Sequence, residues 1–193
     1  PLAGSTFKKI YYDTTMGRAV SKFVPADELV VPYTATSLDD AQSIIHVIKM
    51  PENELRKQQV SGFYRDVDLG PPGRVETNPV LKKERELEGT KATGKPQPIY
   101  TLLECHVNLD LEGFEEVGED GQPTGIKLPY VVTIDESTRT VLSIRRNYAP
   151  DDPKKNKIQY FVHFKFLPGL GFYGFGLIHM IGGLSRTATS ALR

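Results

Sequence analysis

The chain has 193 residues, 39% hydrophobic and 25% charged, a mixture that excludes both a disordered tail and a membrane protein by bulk composition. Its 24 lysines and arginines are balanced by 24 aspartates and glutamates, and a formal net charge of zero counts against a protein that coats DNA. The single cysteine, Cys105, can close no intrachain disulfide, and no Cys/Cys or Cys/His spacing offers a metal site, so the chain reads as belonging to a reducing compartment and needing no cofactor.

The sequence starts Pro1-Leu2-Ala3-Gly4, without initiator methionine or signal pattern, and stops at Arg193 inside a helical pattern. It reads as an interior piece of a longer polypeptide. From the start, Phe7 to Gly17 is aromatic-rich without a clean period, and Val24-Pro25 and Val31-Pro32 bracket a short element, because proline biases the preceding residue toward extended geometry. Ser37 with Asp40 three residues on resembles a capping box and predicts a brief helical turn. The branched run Ile44-Ile45-His46-Val47-Ile48 is too short for a helix and predicts a strand. Pro51, the acids Glu52 and Glu54, and Gly62 then mark a helix with its start and stop.

Residues 67–98 form a polar tract rich in proline and glycine, whose ordered part is predicted to be a charged helix over Val80 to Glu88, with a solvated face. From Tyr100 the period becomes two. Thr101, Leu103, Cys105, Val107, Leu109 and Leu111 share one face, and Glu104, His106, Asn108 and Asp110 the other, so Cys105 is expected to be a small core residue. Strands over Leu128 to Ile134, Val141 to Tyr148 and Ile158 to Leu167 follow, with a short turn at Asp135-Glu136-Ser137-Thr138. On the last of these Ile158, Tyr160, Val162, Phe164 and Phe166 make an apolar stripe. The expected fold is α+β: an antiparallel four-stranded β meander with flanking helices and a C-terminal helix. Its parts are an N-terminal α/β segment (1–66), the polar insertion (67–98), the meander (99–167) and a Gly/aromatic junction leading into a helix (168–193).

Gly169-Leu170-Gly171-Phe172-Tyr173-Gly174 matches the G-x-G-x-x-G spacing that cradles a pyrophosphate. A dinucleotide site also needs a following parallel strand and an acid about 20 residues on, and no acid follows Asp152. Phe172 and Tyr173 would crowd a phosphate as well. The glycines read better as a tightly turned junction, with Gly171 and Gly174 expected at positive φ. The uncharged run Phe166 to Ser185 is long enough to cross a bilayer if helical, but Pro168 and six glycines spoil its first half, and a buried subunit interface is the more economical reading. From Leu177 the spacing Leu177, Ile181, Leu184, Ala188, Leu192 is helical, with Gly182, Gly183 and Ser185 as small residues for close packing. The junction residues Gly169, Gly171, Phe172, Tyr173, Gly174, Phe175 and Gly176 are therefore candidates for subunit packing.

Catalytic signals are thin. Cys105 and His106 are neighbours on a strand and point to opposite faces, and His46, His163 and His179 lie on separate elements without partner spacing. An enzyme is not expected, and a structural role is. Charge is unevenly spread: seven acids and no basic residue lie between 101 and 126, whereas Lys154, Lys155, Lys157, Lys165, Arg186 and Arg193 stand without an acid from 153 on. Lys154, Lys155 and Lys157 are candidate weak contacts for DNA or a partner. Opposed acidic and basic parts also suit head-to-side pairing of copies in a ring.

Val24-Pro25-Ala26-Asp27-Glu28-Leu29-Val30-Val31-Pro32-Tyr33 resembles a segment of the portal proteins of podovirus-type, short-tailed bacteriophages. Asn53 to Tyr64, Leu103 to Gly113, and Leu128 to Asn147 are similar to that family too. Most specific is Phe166-Leu167-Pro168-Gly169-Leu170-Gly171-Phe172-Tyr173-Gly174-Phe175-Gly176-Leu177-Ile178-His179. The resemblance covers most of the chain except Asp66 to Pro98. It implies the wing of a subunit of a dodecameric ring, up to the start of the stem, at the unique capsid vertex of the virion, assembled in the host cytoplasm. Such a ring is the head-to-tail connection and the conduit for packaging and ejecting double-stranded DNA. By the same resemblance its partners are terminase, capsid and scaffolding proteins and tail adaptor proteins, with no membrane. The competing classes are a nucleotide-binding enzyme using Gly169 to Gly174 and a membrane-active segment at Phe166 to Ser185.

Overall fold

A computed structural model describes residues 4–13, 17–72, 98–118, 120–169 and 171–192. The fold is α+β. Three strands form one sheet in the order β2-β1-β8: β1 (Ser5–Asp13), β2 (Arg18–Val24) and β8 (Phe161–Lys165). Five form a second, in the order β3-β4-β5-β6-β7: β3 (Leu29–Val30), β4 (Ser43–Pro51), β5 (Ile99–Leu109), β6 (Leu128–Asp135) and β7 (Val141–Arg146). Among the described residues two α-helices complete it, α1 (Glu52–Val60) and α2 (Leu177–Ala191). The predicted charged helix at 80–88 lies outside the described residues.

The strands at 44–48, 100–111, 128–134 and 141–148 are present as β4 to β7. The meander needs one correction: the fourth strand does not join β5, β6 and β7 but pairs antiparallel with β1, Phe7 opposite His163. The physical reason lies in the first residues. The aperiodic stretch from Phe7 is a long hairpin strand whose other edge is taken by β2, Phe7 opposite Val24, so β1 offers β8 an open edge.

Two compact units are each discontinuous in sequence, one built from Pro1–His46, Cys105–Val131 and Arg145–Arg193, the other from Val47–Glu104 and Val132–Ile144. The core of the first gathers Phe7, Val24, Leu29, Leu38, Ile44, Phe161 and Phe172. In the second, Leu55, Tyr64, Leu69, Tyr100, Leu102 and Leu142 pack together. Burying one such leucine contributes about 1.5–3 kcal/mol.

Local chemistry explains the second unit. Pro51 in extended geometry opens α1, whose first turn carries Glu52 and Glu54, and Gly62 at φ +73° turns the chain away after Ser61. Leu55 and Gln59 are its buried residues. The Gln59 amide donates to the carbonyls of Arg65 (3.3 Å) and Val67 (2.9 Å), and the Tyr100 hydroxyl donates to Gly70 (2.7 Å), so the strand-free segment after α1 has its backbone held by side chains. At the β6–β7 turn the buried Asp135 carboxylate accepts from Ser137 Oγ (2.6 Å), Thr138 N (2.8 Å) and Thr138 Oγ1 (2.8 Å). That fixes the turn in which Arg139 takes φ 57°.

In the first unit the Ser37/Asp40 pair closes a turn and no helix. Asp40 accepts from the Ser37 N–H (2.8 Å) and the Thr36 hydroxyl (2.6 Å), while its own N–H donates to Ser37 Oγ (3.3 Å). These donors hold the Asp40 carboxyl well below the usual carboxylate range. Two expected faces are also reversed. On β8 the stripe of Val162, Phe164 and Phe166 is exposed, and Phe161 is the buried residue, because the pairing of His163 with Phe7 turns odd positions toward the core. On β5 the buried residues are Tyr100, Leu102 and His106, and Cys105 is half-buried, not a core residue.

Candidate subunit-packing junction

The junction belongs to the first unit. The residues after β8 fold back on it: Leu167 and Phe175 exchange backbone hydrogen bonds of 3.2 and 2.8 Å, and the Phe166 N–H donates to Gly4 O at 2.9 Å. Phe172 is buried, its ring stacked 5.9 Å from Phe7 and 4.9 Å from His163. Tyr173 and Phe175 remain half exposed, at 48% each. A loop of this kind uses one aromatic as an anchor and presents the others.

A polar chain seals the fold-back. The Gly174 N–H donates to Ser5 Oγ (2.8 Å), and Ser5 Oγ lies 3.0 Å from His163 Nε2. The Ser5 hydroxyl accepts from Gly174 and keeps both a proton and a second lone pair for the imidazole, so the direction of that bond follows the ring's tautomer. Burial among aromatic rings, with the Lys165 charge adding to it, pushes the His163 pKa down to about 4.

The glycines divide sharply. A Cβ on Gly174 would stand 2.8 Å from Leu167 O and 2.9 Å from Gly4 O, and one on Gly169 would stand 3.0 Å from the Phe175 ring. Nothing lies within 4 Å of such an atom on Gly171. Neither Gly171 nor Gly174 has positive φ, so the expected backbone reason is replaced: Gly174 is needed for close approach, and Gly171 for neither. Gly4 carries no local signal of its part in the junction. It has φ +88°, and a Cβ there would stand 2.3 Å from Gly174 O.

Gly176 begins α2, and His179 closes that end by accepting the Gly176 N–H at Nδ1 (3.0 Å) while its ring meets Phe175 edge-on at 5.6 Å. None of the α2 residues is buried. Ile178, Ile181 and Leu184 are 60%, 55% and 73% exposed, an apolar side of the helix.

Histidines judged unrelated by sequence converge. His46 and His106 both meet the Phe161 ring edge-on, at 5.6 and 5.2 Å, in the core of the first unit. Among the described residues no three His, Cys, Asp or Glu side chains converge on a metal position. Nor is any helix there long and apolar enough to cross a membrane.

The three candidate lysines serve the fold in part. Lys155 forms an ion pair with Glu116, and Lys157 Nζ donates to Leu38 O (3.5 Å) and Ala41 O (3.4 Å). The Lys154 N–H donates to Asp152 (2.9 Å), whose carboxyl is held low first by the Asn156 N–H and then by that bond. The chain matches no family model and no curated protein.

Proposed function

We propose that the chain is part of a portal subunit, a structural component of the ring through which double-stranded DNA enters and leaves a short-tailed phage capsid. The observation that carries the reading is α2: a helix of 15 residues with no buried side chain, its isoleucines and leucine exposed, set directly after a locked Gly/aromatic junction. A surface of that kind needs a covering subunit, and repeated head-to-side packing closes a ring. The motif resemblance at Phe166 to His179 falls on these same residues and supports the same reading. The role is structural and not catalytic: the histidines pack against aromatic rings, and Phe172 fills the middle of the glycine loop where a phosphate would need room.

Native mass spectrometry and negative-stain microscopy of the full-length polypeptide carrying this sequence test it. Closed rings, of twelve copies by the resemblance, are expected. A species that stays monomeric at micromolar concentration removes the proposal.

A further inference from the structure

The register of the three-stranded sheet gives it two apolar sides. Phe7 of β1, Val24 of β2 and Phe161 of β8 turn inward and are buried in the core of the first unit. The alternate residues point outward, and Ile10, Tyr12, Phe23, Val162, Phe164 and Phe166 share that side, each between 40% and 64% exposed. Four aromatic and two aliphatic side chains at about half exposure leave on the order of 500 Å² of apolar surface open, near the upper end of what a soluble monomer carries. The one charge on this side is Lys8, whose ammonium lies over the Phe164 ring, 5.6 Å from its centroid. A sheet apolar on both sides is a middle layer, and a helix is a usual cover for such a face.

We infer that α2 of one copy covers this outer sheet face of the next. The two surfaces match in size: α2, with 15 residues, runs about 22 Å and is about 10 Å across, while Thr6 to Tyr12 spans about 20 Å of β1 and three strands are about 10 Å wide. They match in chemistry as well. Leu177, Ile181, Leu184 and Ala188 form one stripe along α2, and Arg186, its only charged residue, stands about 140–180° around the helix from them. The open apolar area of the sheet, with a polar rim added, approaches the roughly 800 Å² that each partner gives to a stable interface. Charge decides between α2 and a second copy of the same face. Two sheets face to face would press both Lys8 ammoniums into one apolar seam, whereas the stripe of α2 brings none, and the flexible Lys8 stem can keep its charge in water. A single cation is also too few for a phosphate track. The junction, bonded to Gly4 and Ser5 at the start of β1, fixes where α2 leaves the sheet. The contact is heterologous, so every copy donates a helix and receives one. The inference rests on the ring reading and names the contact that would propagate it.

Cysteine cross-linking in the full-length polypeptide tests it, with Cys105 and every other native cysteine replaced by alanine. Ser21→Cys marks the outer sheet face beside Ile10, and Ser185→Cys marks the flank of the α2 stripe; both positions are exposed and both substitutions leave the apolar residues in place. A short bismaleimide applied to assembled protein is expected to join the two variants when they are co-expressed, to leave each alone uncross-linked, and to link the S21C/S185C double variant into a ladder of covalent multimers. In parallel, Tyr12→Lys, at the most exposed position of the face, is expected to raise the concentration for half-assembly by about tenfold or more with thermal unfolding unchanged. Rings that form without a sheet-to-helix product, or Y12K rings that form at the wild-type concentration, overturn the contact and leave the ring reading standing. Cross-linking of S21C alone in place of the mixed product assigns the face to its own copy, and of S185C alone assigns helix to helix; either result overturns the inference. A monomeric wild type overturns both the contact and the ring.

Discussion

Ser5 Oγ stands 3.0 Å from His163 Nε2, a hydrogen bond that crosses from β1 to β8 and carries the Gly174 loop with it. Burial of the ring, with the nearby Lys165 charge, disfavours the imidazolium. His163 has its folded pKa at about 4, below the ordinary 6.5. Between those values the unfolded chain binds a proton that the folded chain refuses, so stability is complete above pH 6.5 and is lost as pH falls toward 4. Thermal unfolding followed by circular dichroism from pH 7 to pH 4.5 is expected to show a falling midpoint, with a shallower slope in His163→Gln. Equal slopes would mean that His163 is not the group responsible.

Gly174→Ala places a methyl group against two carbonyl oxygens, and a loss of about 1–3 kcal/mol is expected, as for overpacked sites. Gly171→Ala meets nothing and is expected to be neutral within about 0.5 kcal/mol. Urea unfolding of the two variants in parallel checks the contrast, and similar losses would refute the close-approach argument.

Asp135→Ala removes the buried acceptor of three hydrogen bonds that hold an exposed turn. Water can take over the exposed Ser137 and Thr138 donors, so the loss is expected to be about 0.5–1.5 kcal/mol. Hydrogen exchange should localise the effect to the β6–β7 turn; a uniform change across the chain would contradict it.

Cys105→Ala is expected to cost about 1 kcal/mol or less, since the side chain is only half-buried. Assembly of the full-length polypeptide should be unchanged. An assembly defect with normal stability would point to a role for the thiol.

For DNA, Lys155 and Lys157 already have partners within the chain, and the total charge is zero. The unassembled chain is expected to bind duplex DNA no more tightly than about 10⁻⁴ M at physiological salt, without sequence preference. Fluorescence anisotropy with a random duplex decides the matter, and submicromolar binding would reject it.

Elements with strong local signals were legible. Pro51, two acids and Gly62 bound α1, and the branched run at 44–48 marked β4. The face of β8 was not legible, because both its odd and even positions hold aromatics. Pairing with Phe7 settles which side is buried, and that pairing lies more than 150 residues away in sequence. The junction was visible as a glycine-aromatic run, but its reason was not: Gly4 and Ser5 lock it from a separation of 169 residues, and no window of sequence contains both halves.

That separation has a kinetic consequence for synthesis on the ribosome. The core of the first unit needs Phe7 from β1, Phe161 from β8 and Phe172 from the junction, so the nascent chain cannot complete it until the loop has cleared the exit tunnel. At about 5–20 residues per second, β1 and its apolar neighbours wait on the order of ten seconds or more with one edge uncovered. Most of the second unit's residues emerge during that interval and can condense first. The nascent hairpin thus passes through a stage open to mispairing, and a chaperone that shields short apolar strands would be most useful then.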